Sequence, residues 1–231
     1  ALCQKTVGGN WKVIHNTSTM LPTNGCDIRT TLDIDLQALA HSSLLKALQA
    51  SEAAYGCALV METKTGHLKA MVNLSRTDTG QYRERYNYAV GSQGTTEPGS
   101  TFKLVSILAL LEEKAVDLND TIDTSGGTYQ FYDRVMKDVK RGGYGEITVQ
   151  EAFEKSSNTA ISRLVQEAFG DNPQKFVKYI ERLKLSKPLG FQMVGEGIPL
   201  IKTPQSANWS GVTLPWMSIG YELQVTPLQI L

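Results

Sequence analysis

Residues 97–103 read EPGSTFK, and no other stretch says as much about the fold and the chemistry of this chain. The Pro-Gly pair breaks the preceding segment, so Ser100 is predicted to begin a helix that runs to about Lys114. Lys103 then lies one turn later on the same helical face. Spacing alone is weak support, because Ser43–Lys46 repeats the S-x-x-K pattern inside another predicted helix.

The chemistry that suits this pair is nucleophilic catalysis. A serine hydroxyl is a weak nucleophile and needs an adjacent base. A lysine amine can be that base only when it is neutral, and burial against apolar neighbours such as Phe102 and Leu104 lowers its pKa. The start of a helix also offers backbone N–H groups to an oxyanion. The alternative is a serine cap followed by a solvated lysine.

Two S-x-N strings occur further along the chain. Ser156–Asn158 interrupts two predicted helices, where polar, helix-breaking residues can face a cleft. Ser206–Asn208 lies in an irregular, glycine-flanked stretch that is typical of a turn. Neither string is significant by its spacing alone.

Composition excludes some classes of protein. The 231 residues carry 23 Lys and Arg against 23 Asp and Glu, so the formal net charge is zero. Nucleic-acid binders usually show a basic excess, so no nucleic acid is expected as a partner. Lys137, Lys140 and Arg141 are interleaved with Asp133 and Asp138, and we interpret this cluster as a solvated face. No run approaches the roughly 18 apolar residues that a membrane-spanning helix requires.

The beginning of the chain is predicted to be largely irregular. Residues 1–26 contain turn formers and little periodicity, and we interpret them as a linker or the edge of a preceding domain. A short strand is predicted at Ile28–Leu32. Asp33 can cap the helix that follows, in which apolar residues recur at helical spacing from Leu36 to Leu48.

A β-hairpin is predicted next. The apolar runs Cys57–Met61 and Leu68–Val72 flank a polar turn in which Gly66 can take a positive φ. A polar loop is predicted from Asn73 to about Tyr86.

Helices dominate the middle of the chain. Thr148 and Glu151 match a capping box, which predicts a helix that runs towards Ser156. Further helices are predicted over 159–169, from Pro173 to about Leu183, and from Thr226-Pro227. Strands in the first third and helices in the middle indicate an α+β fold with a helical lobe.

Cysteine and histidine provide no pattern for a metal or redox site. Cys57 lies in an apolar run and is predicted to be a buried small hydrophobe. Cys3 and Cys26 can form a disulfide in an oxidising compartment or remain free thiols. The three histidines, His15, His41 and His67, are scattered, and no chemistry is assigned to them.

Five segments resemble, in order, the transpeptidase domain of penicillin-binding proteins, and most closely the class B, monofunctional branch. They are IRTTLD at 28–33, LVMETKTG at 59–66, NYAV with EPGSTFK within 87–103, ITVQEAFEKSSNTA at 147–160 and IGYELQVTPLQ at 219–229. The resemblance implies a β-lactamase/transpeptidase-like fold over residues 27–231. This fold has an antiparallel sheet flanked by helices and a helical lobe.

The resemblance also implies roles. Ser100 would be the acylated nucleophile, Lys103 its base, Ser156 a proton relay to the leaving group, and Asn158 a hydrogen-bonding partner of the substrate. The substrate would be the D-Ala-D-Ala end of a peptidoglycan stem peptide, and β-lactams would trap Ser100. No cofactor is implied. The site would face the periplasm on the outer side of the cytoplasmic membrane, with other cell-wall synthesis proteins as partners and membrane attachment only through a segment outside this chain.

The family's third motif, K-T/S-G, is expected well downstream of the second. The only literal match, Lys64-Thr65-Gly66, precedes the nucleophile and falls in the predicted hairpin turn, so we interpret it as a decoy. The third motif and further strands are therefore expected after Leu231, and residues 1–231 alone are expected to be weakly active or inactive.

Two other functions share these features. A β-lactamase or β-lactam sensor has the same serine–lysine pair, although no acidic motif can be assigned as a deacylating base. A non-catalytic, truncated binding module would explain the absence of the third motif.

Overall fold

The structure, a computed structural model, describes residues 2–14 and 24–231. Contacts divide the chain into two compact units, Ala1–Thr31 and Leu32–Leu231. In the first unit, β1 (Leu2–Lys5) pairs antiparallel with β2 (Trp11–Ile14).

The turn of this first hairpin contains Gly8 and Gly9. Thr6 N–H donates to Asn10 O at 2.8 Å, and Gly9 has a φ of +82°. Cys3, Cys26 and Cys57 are all free thiols. Residues 15–23, which belong to the predicted linker, lie outside the described residues.

The predicted strand at Ile28–Leu32 is wrong, because residues 24–33 carry no regular secondary structure. Ile28 is 88% exposed and Leu32 is 47% exposed, so the alternating residues bury no apolar face. A β-strand is stabilised by packing and by a hydrogen-bonded ladder, which propensity alone does not supply. Asp33 is the predicted N-cap, and its carboxylate accepts from Asp35 N–H at 3.0 Å and Leu36 N–H at 3.1 Å.

The helix that Asp33 caps is α1 (Ile34–Ser51), and it packs against an antiparallel sheet. Leu48 of α1 forms a small core with Val72 and Leu74 of the sheet. Gln37 pairs with the backbone of Met71, donating from Nε2 to Met71 O and accepting from Met71 N–H, both at 2.8 Å.

The sheet contains β3 (Tyr55–Met61), β4 (Leu68–Arg76) and β5 (Tyr82–Arg83), in that spatial order. The hairpin prediction is confirmed, with Gly66 at a φ of +70° in the turn. Cys57, predicted to be buried, is half-buried, and this burial raises the pKa of its thiol. The predicted loop 73–86 is partly wrong, because β4 continues to Arg76 and β5 pairs with its end.

The helical lobe follows the predicted helices closely. A 3₁₀ turn over Gly99–Phe102 leads into α2 (Lys103–Glu112), so the helix at Ser100 ends two residues before the predicted Lys114. Short strand pairs link the helices, and the lobe's elements are β6 (Thr121–Asp123), β7 (Thr128–Phe131), β8 (Arg134–Lys137), β9 (Glu146–Thr148), α3 (Val149–Glu154), α4 (Asn158–Phe169) and α5 (Pro173–Arg182). The capping box of Thr148 and Glu151 is confirmed at the start of α3.

The core of the lobe is apolar and tightly packed. Phe169 of α4 and Phe176 of α5 lie with ring centroids 5.5 Å apart, and both are buried with Leu110 of α2 and Ile161 of α4. Burial of each such side chain contributes roughly 1.5–3 kcal/mol. This core fixes α2 relative to α4, the two helices whose N-terminal ends carry Lys103 and Asn158.

The last elements close the fold behind α2. They are β10 (Leu200–Ile201), α6 (Thr213–Met217), β11 (Leu223–Gln224) and α7 (Pro227–Ile230). Ser106 of α2 donates to Ser218 O at 2.6 Å, in a fully buried hydrogen bond. This contact fixes the segment after α6 against α2, the helix that follows the turn containing Ser100.

Candidate active site

Lys103 is the centre of the site. Its side chain is only 1% exposed. Its ammonium nitrogen Nζ donates to Ser156 O at 2.6 Å, to Ser156 Oγ at 2.9 Å and to Asn158 Oδ1 at 2.6 Å. A lysine ammonium has three donors, so the Ser156–Asn158 segment satisfies all of them.

The pKa of Lys103 is lowered from its ordinary value near 10.5 to about 8, because burial penalises the charged form. The negative charge of Asp138 acts in the opposite direction and raises the pKa of Lys103. A lysine with a pKa of about 8 releases its proton at mildly alkaline pH, which a base for a serine hydroxyl requires.

The three partners of Lys103 differ in what they can do. Ser156 O and Asn158 Oδ1 only accept hydrogen bonds, whereas the Ser156 hydroxyl can accept or donate. A neutral Lys103 therefore donates its two N–H groups to the two acceptors and accepts a hydrogen bond from the Ser156 hydroxyl at its lone pair. The contact at 2.9 Å can thus carry a proton in either direction without a change in packing.

Asn158 is held in the required orientation from behind. Its amide nitrogen Nδ2 donates to Lys137 O at 2.8 Å, which leaves Oδ1 to face Lys103. A flipped amide would point two donors at the ammonium and an acceptor at a carbonyl. The orientation of Asn158 is therefore fixed at both ends.

Ser156 reaches Lys103 because the chain reverses direction between α3 and α4. Ser156 has a φ of +54°. Its N–H donates to Phe153 O at 3.0 Å, and the N–H of Ser157 donates to Ala152 O at 2.9 Å. These two bonds define a Schellman motif, in which the left-handed position usually carries glycine.

The same helix ending recurs elsewhere in the lobe, at Lys114 after α2 and at Lys184 after α5, with φ values of +53° and +63°. A left-handed residue is therefore not in itself a mark of function here. At Ser156, however, it turns both the carbonyl and the hydroxyl towards one buried ammonium.

Ser100 lies in the 3₁₀ turn that precedes α2, and its carbonyl accepts from Lys103 N–H. The Ser100 side chain is exposed. Within residues 2–14 and 24–231, its hydroxyl makes no hydrogen bond to Lys103, although the two residues lie one helical turn apart. The reason is visible at Nζ, whose three donors all bind the Ser156–Asn158 segment. The structure thus brings Lys103, Ser156 and Asn158 together, with Ser100 one turn away.

The turn that carries Ser100 is held by the segment 219–225. Gly99 has a φ of +58°, and its N–H donates to Gly220 O at 3.0 Å. A Cβ on Gly220 would lie 2.0 Å from Gly99 O, so the two backbones approach too closely for any side chain. Glu222 N–H donates to Glu97 Oε1 at 3.0 Å. The close approach requires glycine at position 220, whereas Gly99 has open space at its Cβ position and is favoured by its positive φ.

Of the two apolar neighbours expected for Lys103, only Phe102 is buried. Leu104 is 51% exposed, because it lies on the outer face of α2. The other motif matches lie outside the cluster. Ser43–Lys46 is exposed on α1, and Lys64-Thr65-Gly66 occupies the exposed turn between β3 and β4. Ser206 accepts from Thr203 N–H at 3.0 Å in a turn.

Asp138 is the residue of the site that sequence analysis missed. It was grouped with a solvated face, but it is half-buried and accepts hydrogen bonds from Ser157 and Thr159. No spacing in the sequence links residue 138 to 157 or 159, because the β7–β8 hairpin brings them together.

A cavity of about 550 Å³ opens beside the nucleophile turn. Glu97, Lys202 and Glu222 line it, together with Ser206 and Asn208. Lys202 forms an ion pair with Glu222. Among the described residues, no group of three or more His, Cys, Asp or Glu side chains could hold a metal ion, and no helix is long and apolar enough to cross a membrane.

An α+β fold that places a buried lysine one turn after an exposed serine is the class of structure seen here, and comparison with known proteins identifies the family. The sequence model described as "Penicillin binding protein transpeptidase domain" matches residues 56–231. This chain therefore belongs to the penicillin-binding protein transpeptidase family.

Similar proteins agree with this assignment. Peptidoglycan D,D-transpeptidase FtsI of Escherichia coli (strain K12) is 30% identical over 222 residues, which is 95% of this chain and 36% of that protein. Probable peptidoglycan D,D-transpeptidase PenA of Neisseria gonorrhoeae is 28% identical over 214 residues, 90% of this chain and 35% of that protein. The chain thus spans about a third of the length of the curated relatives it matches.

Solved structures show the same α+β transpeptidase fold. The transpeptidase domain of penicillin-binding protein 3 from Burkholderia pseudomallei, without ligand, aligns with a TM-score of 0.72 at 22% identity, over 90% of this chain and 57% of that one. A structure described as a peptidoglycan glycosyltransferase from Burkholderia ambifaria aligns with a TM-score of 0.75 at 24% identity, over 87% and 58%. The expected fold class is confirmed.

We predict that Ser156→Gly is more stable than Ser156→Ala by about 1 kcal/mol, because glycine takes a positive φ without a Cβ penalty. Both variants lack the hydroxyl, so the difference isolates the backbone. Urea unfolding measures it. Ser42, an exposed residue inside α1, provides the control, where Ser42→Gly should be the less stable variant. If the alanine variant were the more stable one at both positions, the proposed backbone strain at Ser156 would be contradicted.

We also predict that Gly220→Ala lowers the free energy of unfolding by more than 1 kcal/mol and displaces the Ser100 turn. The reason is the approach of a new Cβ to 2.0 Å from Gly99 O. Gly190→Ala is the matched control, since Gly190 also has a positive φ, +72°, but nothing within 4 Å of its Cβ position. Denaturation curves of the two variants would coincide if the contact with Gly99 were unimportant.

Proposed function

We propose that this chain carries the acylation site of a peptidoglycan D,D-transpeptidase, with Ser100 as nucleophile and Lys103 as its base. The observation that supports this most strongly is the buried Lys103, which is hydrogen-bonded to Ser156 and Asn158 one turn after an exposed serine. Its pKa of about 8 gives it a neutral fraction near physiological pH. The proposed substrate is the D-Ala-D-Ala end of a stem peptide.

In the first half-reaction, Ser100 Oγ attacks the carbonyl carbon of the penultimate D-alanine and gives its proton to neutral Lys103. The bond from Oγ to carbon forms, and the peptide C–N bond breaks. The proton passes from Lys103 through Ser156 Oγ, which lies 2.9 Å from Nζ, to the leaving amine. D-Alanine departs, and an ester on Ser100 remains.

The second half-reaction reverses these steps with a new amine. An amine from a neighbouring stem peptide attacks the ester carbonyl, loses its proton to the Ser156–Lys103 pair, and forms a new C–N bond. The ester C–O bond breaks, and Ser100 recovers its proton. Asn158 Nδ2 already donates a hydrogen bond to Lys137 O. For Asn158 to bind the substrate through this nitrogen, its side-chain amide has to shift.

Ser100 and Lys103 are not hydrogen-bonded in the structure, and this is compatible with the proposal. Catalytic hydrogen bonds often form only in the complex with substrate. Neutral Lys103 has two protons and one lone pair. When the amine turns so that this lone pair faces Ser100 Oγ and no longer Ser156 Oγ, Lys103 can accept a hydrogen bond from the nucleophile. β-Lactams are proposed to acylate Ser100 in the same way, and the site is proposed to face the peptidoglycan on the outer side of the cytoplasmic membrane.

The test is acylation by a labelled penicillin in the full-length protein, followed by mass mapping. We expect one label on the peptide that contains Ser100, and its loss in Ser100→Ala. Ser43→Ala, which alters the other S-x-x-K serine, is the matched control and should label normally. A properly folded protein that stays unlabelled would overturn the enzyme assignment. Rapid release of the label by hydrolysis would instead indicate a β-lactamase.

Lys103 has its own prediction. Lys103→Arg should lower the acylation rate by about 100- to 10,000-fold while the fold is retained, because arginine keeps its proton. Lys46→Arg is the control. In the unsubstituted protein, the rate should fall as pH drops below an apparent pKa of about 8 and level off above it, since only neutral Lys103 is a base. A rate independent of pH between 6 and 9.5 would contradict this role.

A further inference from the structure

We propose that Asp138 is a positioning residue of this acylation site, which holds the segment around Asn158 against Lys103. The proposal rests on the proposed function, because it concerns how that site is assembled. Asp138 touches neither Ser100 nor Lys103 by a hydrogen bond in the described residues, so its action is through its neighbours.

The first support is the set of contacts that Asp138 makes. Its Oδ1 accepts from Thr159 N–H at 3.0 Å, and its Oδ2 accepts from Thr159 Oγ1 at 2.9 Å. The Ser157 hydroxyl lies 3.1 Å from both carboxylate oxygens. Ser157 and Thr159 are both fully buried. The carboxylate thus binds the residues on either side of Asn158.

The neighbouring residue of the same segment completes the arrangement. Lys137 O accepts from Asn158 Nδ2 at 2.8 Å, so consecutive residues at the end of β8 bind three consecutive residues at the start of α4. Asp138 is itself held by the hydrogen bond from its N–H to Gly127 O at 2.9 Å. Asn158, whose side chain faces Lys103, is therefore fixed directly and through both of its neighbours by one short stretch of chain.

Helix capping alone does not account for this arrangement. The cap of α4 is already supplied by Ser157, whose hydroxyl accepts from Ala160 N–H at 3.1 Å. Asp138 adds a full negative charge near the N-terminus of a helix of 12 residues, where such a charge is favourable. It does so beside a buried cation, and its charge raises the pKa of Lys103 against the effect of burial.

Other charged groups near α2 do not share this position. Several charged residues of α3, α4 and α5 form ion pairs away from Lys103, as Glu151 with Lys155, Arg163 with Glu167, Lys175 with Glu113, and Arg182 with Glu112. Among the described residues, Asp138 is the charged group whose field shifts the pKa of Lys103.

The test compares Asp138→Asn with Asp133→Asn in the full-length protein. Asp133 lies in the exposed turn of the same β7–β8 hairpin. Asp133→Asn therefore removes one negative charge from the hairpin without changing a contact of α4. We expect Asp138→Asn to reduce the limiting acylation rate at high pH by roughly 10- to 100-fold, the cost of misplaced catalytic groups. We also expect the midpoint of its pH–rate profile to move to lower pH, because Lys103 loses a neighbouring negative charge. Asp133→Asn should leave both quantities unchanged.

A second variant covers the case in which Asp138→Asn does not fold. Valine has nearly the shape of threonine, so Thr159→Val leaves the charge of Asp138 in place and removes only the hydrogen bond from Thr159 Oγ1 to Asp138 Oδ2. We expect a lower limiting rate with an unchanged midpoint. A wild-type limiting rate in Thr159→Val would overturn the positioning role.

The remaining outcomes separate this inference from the proposed function. Asp138→Asn could lower only the stability of the protein. In that case the midpoint of the pH–rate profile is unchanged, and the limiting acylation rate per folded molecule equals that of the unsubstituted protein. Asp138 is then only structural, and the inference fails. If Ser100→Ala still becomes labelled, the proposed function fails instead. An unchanged profile in Asp138→Asn, in a protein that Ser100→Ala inactivates, overturns the inference alone.

Discussion

The burial of one ammonium group constrains the rest of this lobe. A buried charge is costly unless its donors are satisfied, and Lys103 has three. The structure satisfies them with two acceptors from Ser156 and one from Asn158. Because all three come from one short segment, that segment must bend between two helices and must be held in place. The Schellman ending of α3 provides the bend, and the end of β8 provides the support.

The same constraint explains why a base and a proton relay can coexist in one cluster. Burial lowers the pKa of Lys103, while the negative charge of Asp138 limits how far it falls. Two of the three partners can only accept, so the Ser156 hydroxyl is the group that can exchange a proton. On the other side, the close approach of Gly99 and Gly220 fixes the turn of Ser100 independently of the ammonium. The nucleophile and the base are thus positioned by different parts of the fold.

The sequence predicted what is decided locally. Capping boxes, helical spacing and the Gly66 turn depend on residues a few positions apart, and α3, α4, α5 and the β3–β4 hairpin were predicted on that basis. Lys103, Ser156 and Asn158, which the structure brings together, were singled out from the sequence by the resemblance to the family, because their spacing alone was not significant. The strand at Ile28–Leu32 was mispredicted, since strand formation depends on packing that lies elsewhere in the chain.

The features that sequence analysis missed are contacts between distant segments. Asp138 reaches Ser157 and Thr159 only through the β7–β8 hairpin, and Gly220 meets Gly99 across more than a hundred positions. The hydrogen bonds of Lys103 to the Ser156–Asn158 segment, in place of Ser100, also follow from how α2 packs against α4. Such pairings have no periodicity and no spacing rule, so one sequence does not reveal them.

The most direct test of this account is the titration of Lys103 itself. Lysines labelled with ¹³C at the ε carbon report protonation by NMR, and the Lys103→Arg spectrum identifies the resonance of Lys103. The account predicts a midpoint at about 8 for this residue, well below the ordinary lysine value of about 10.4. A Lys103 resonance whose midpoint lies at that ordinary value would contradict the assignment of this residue as the base.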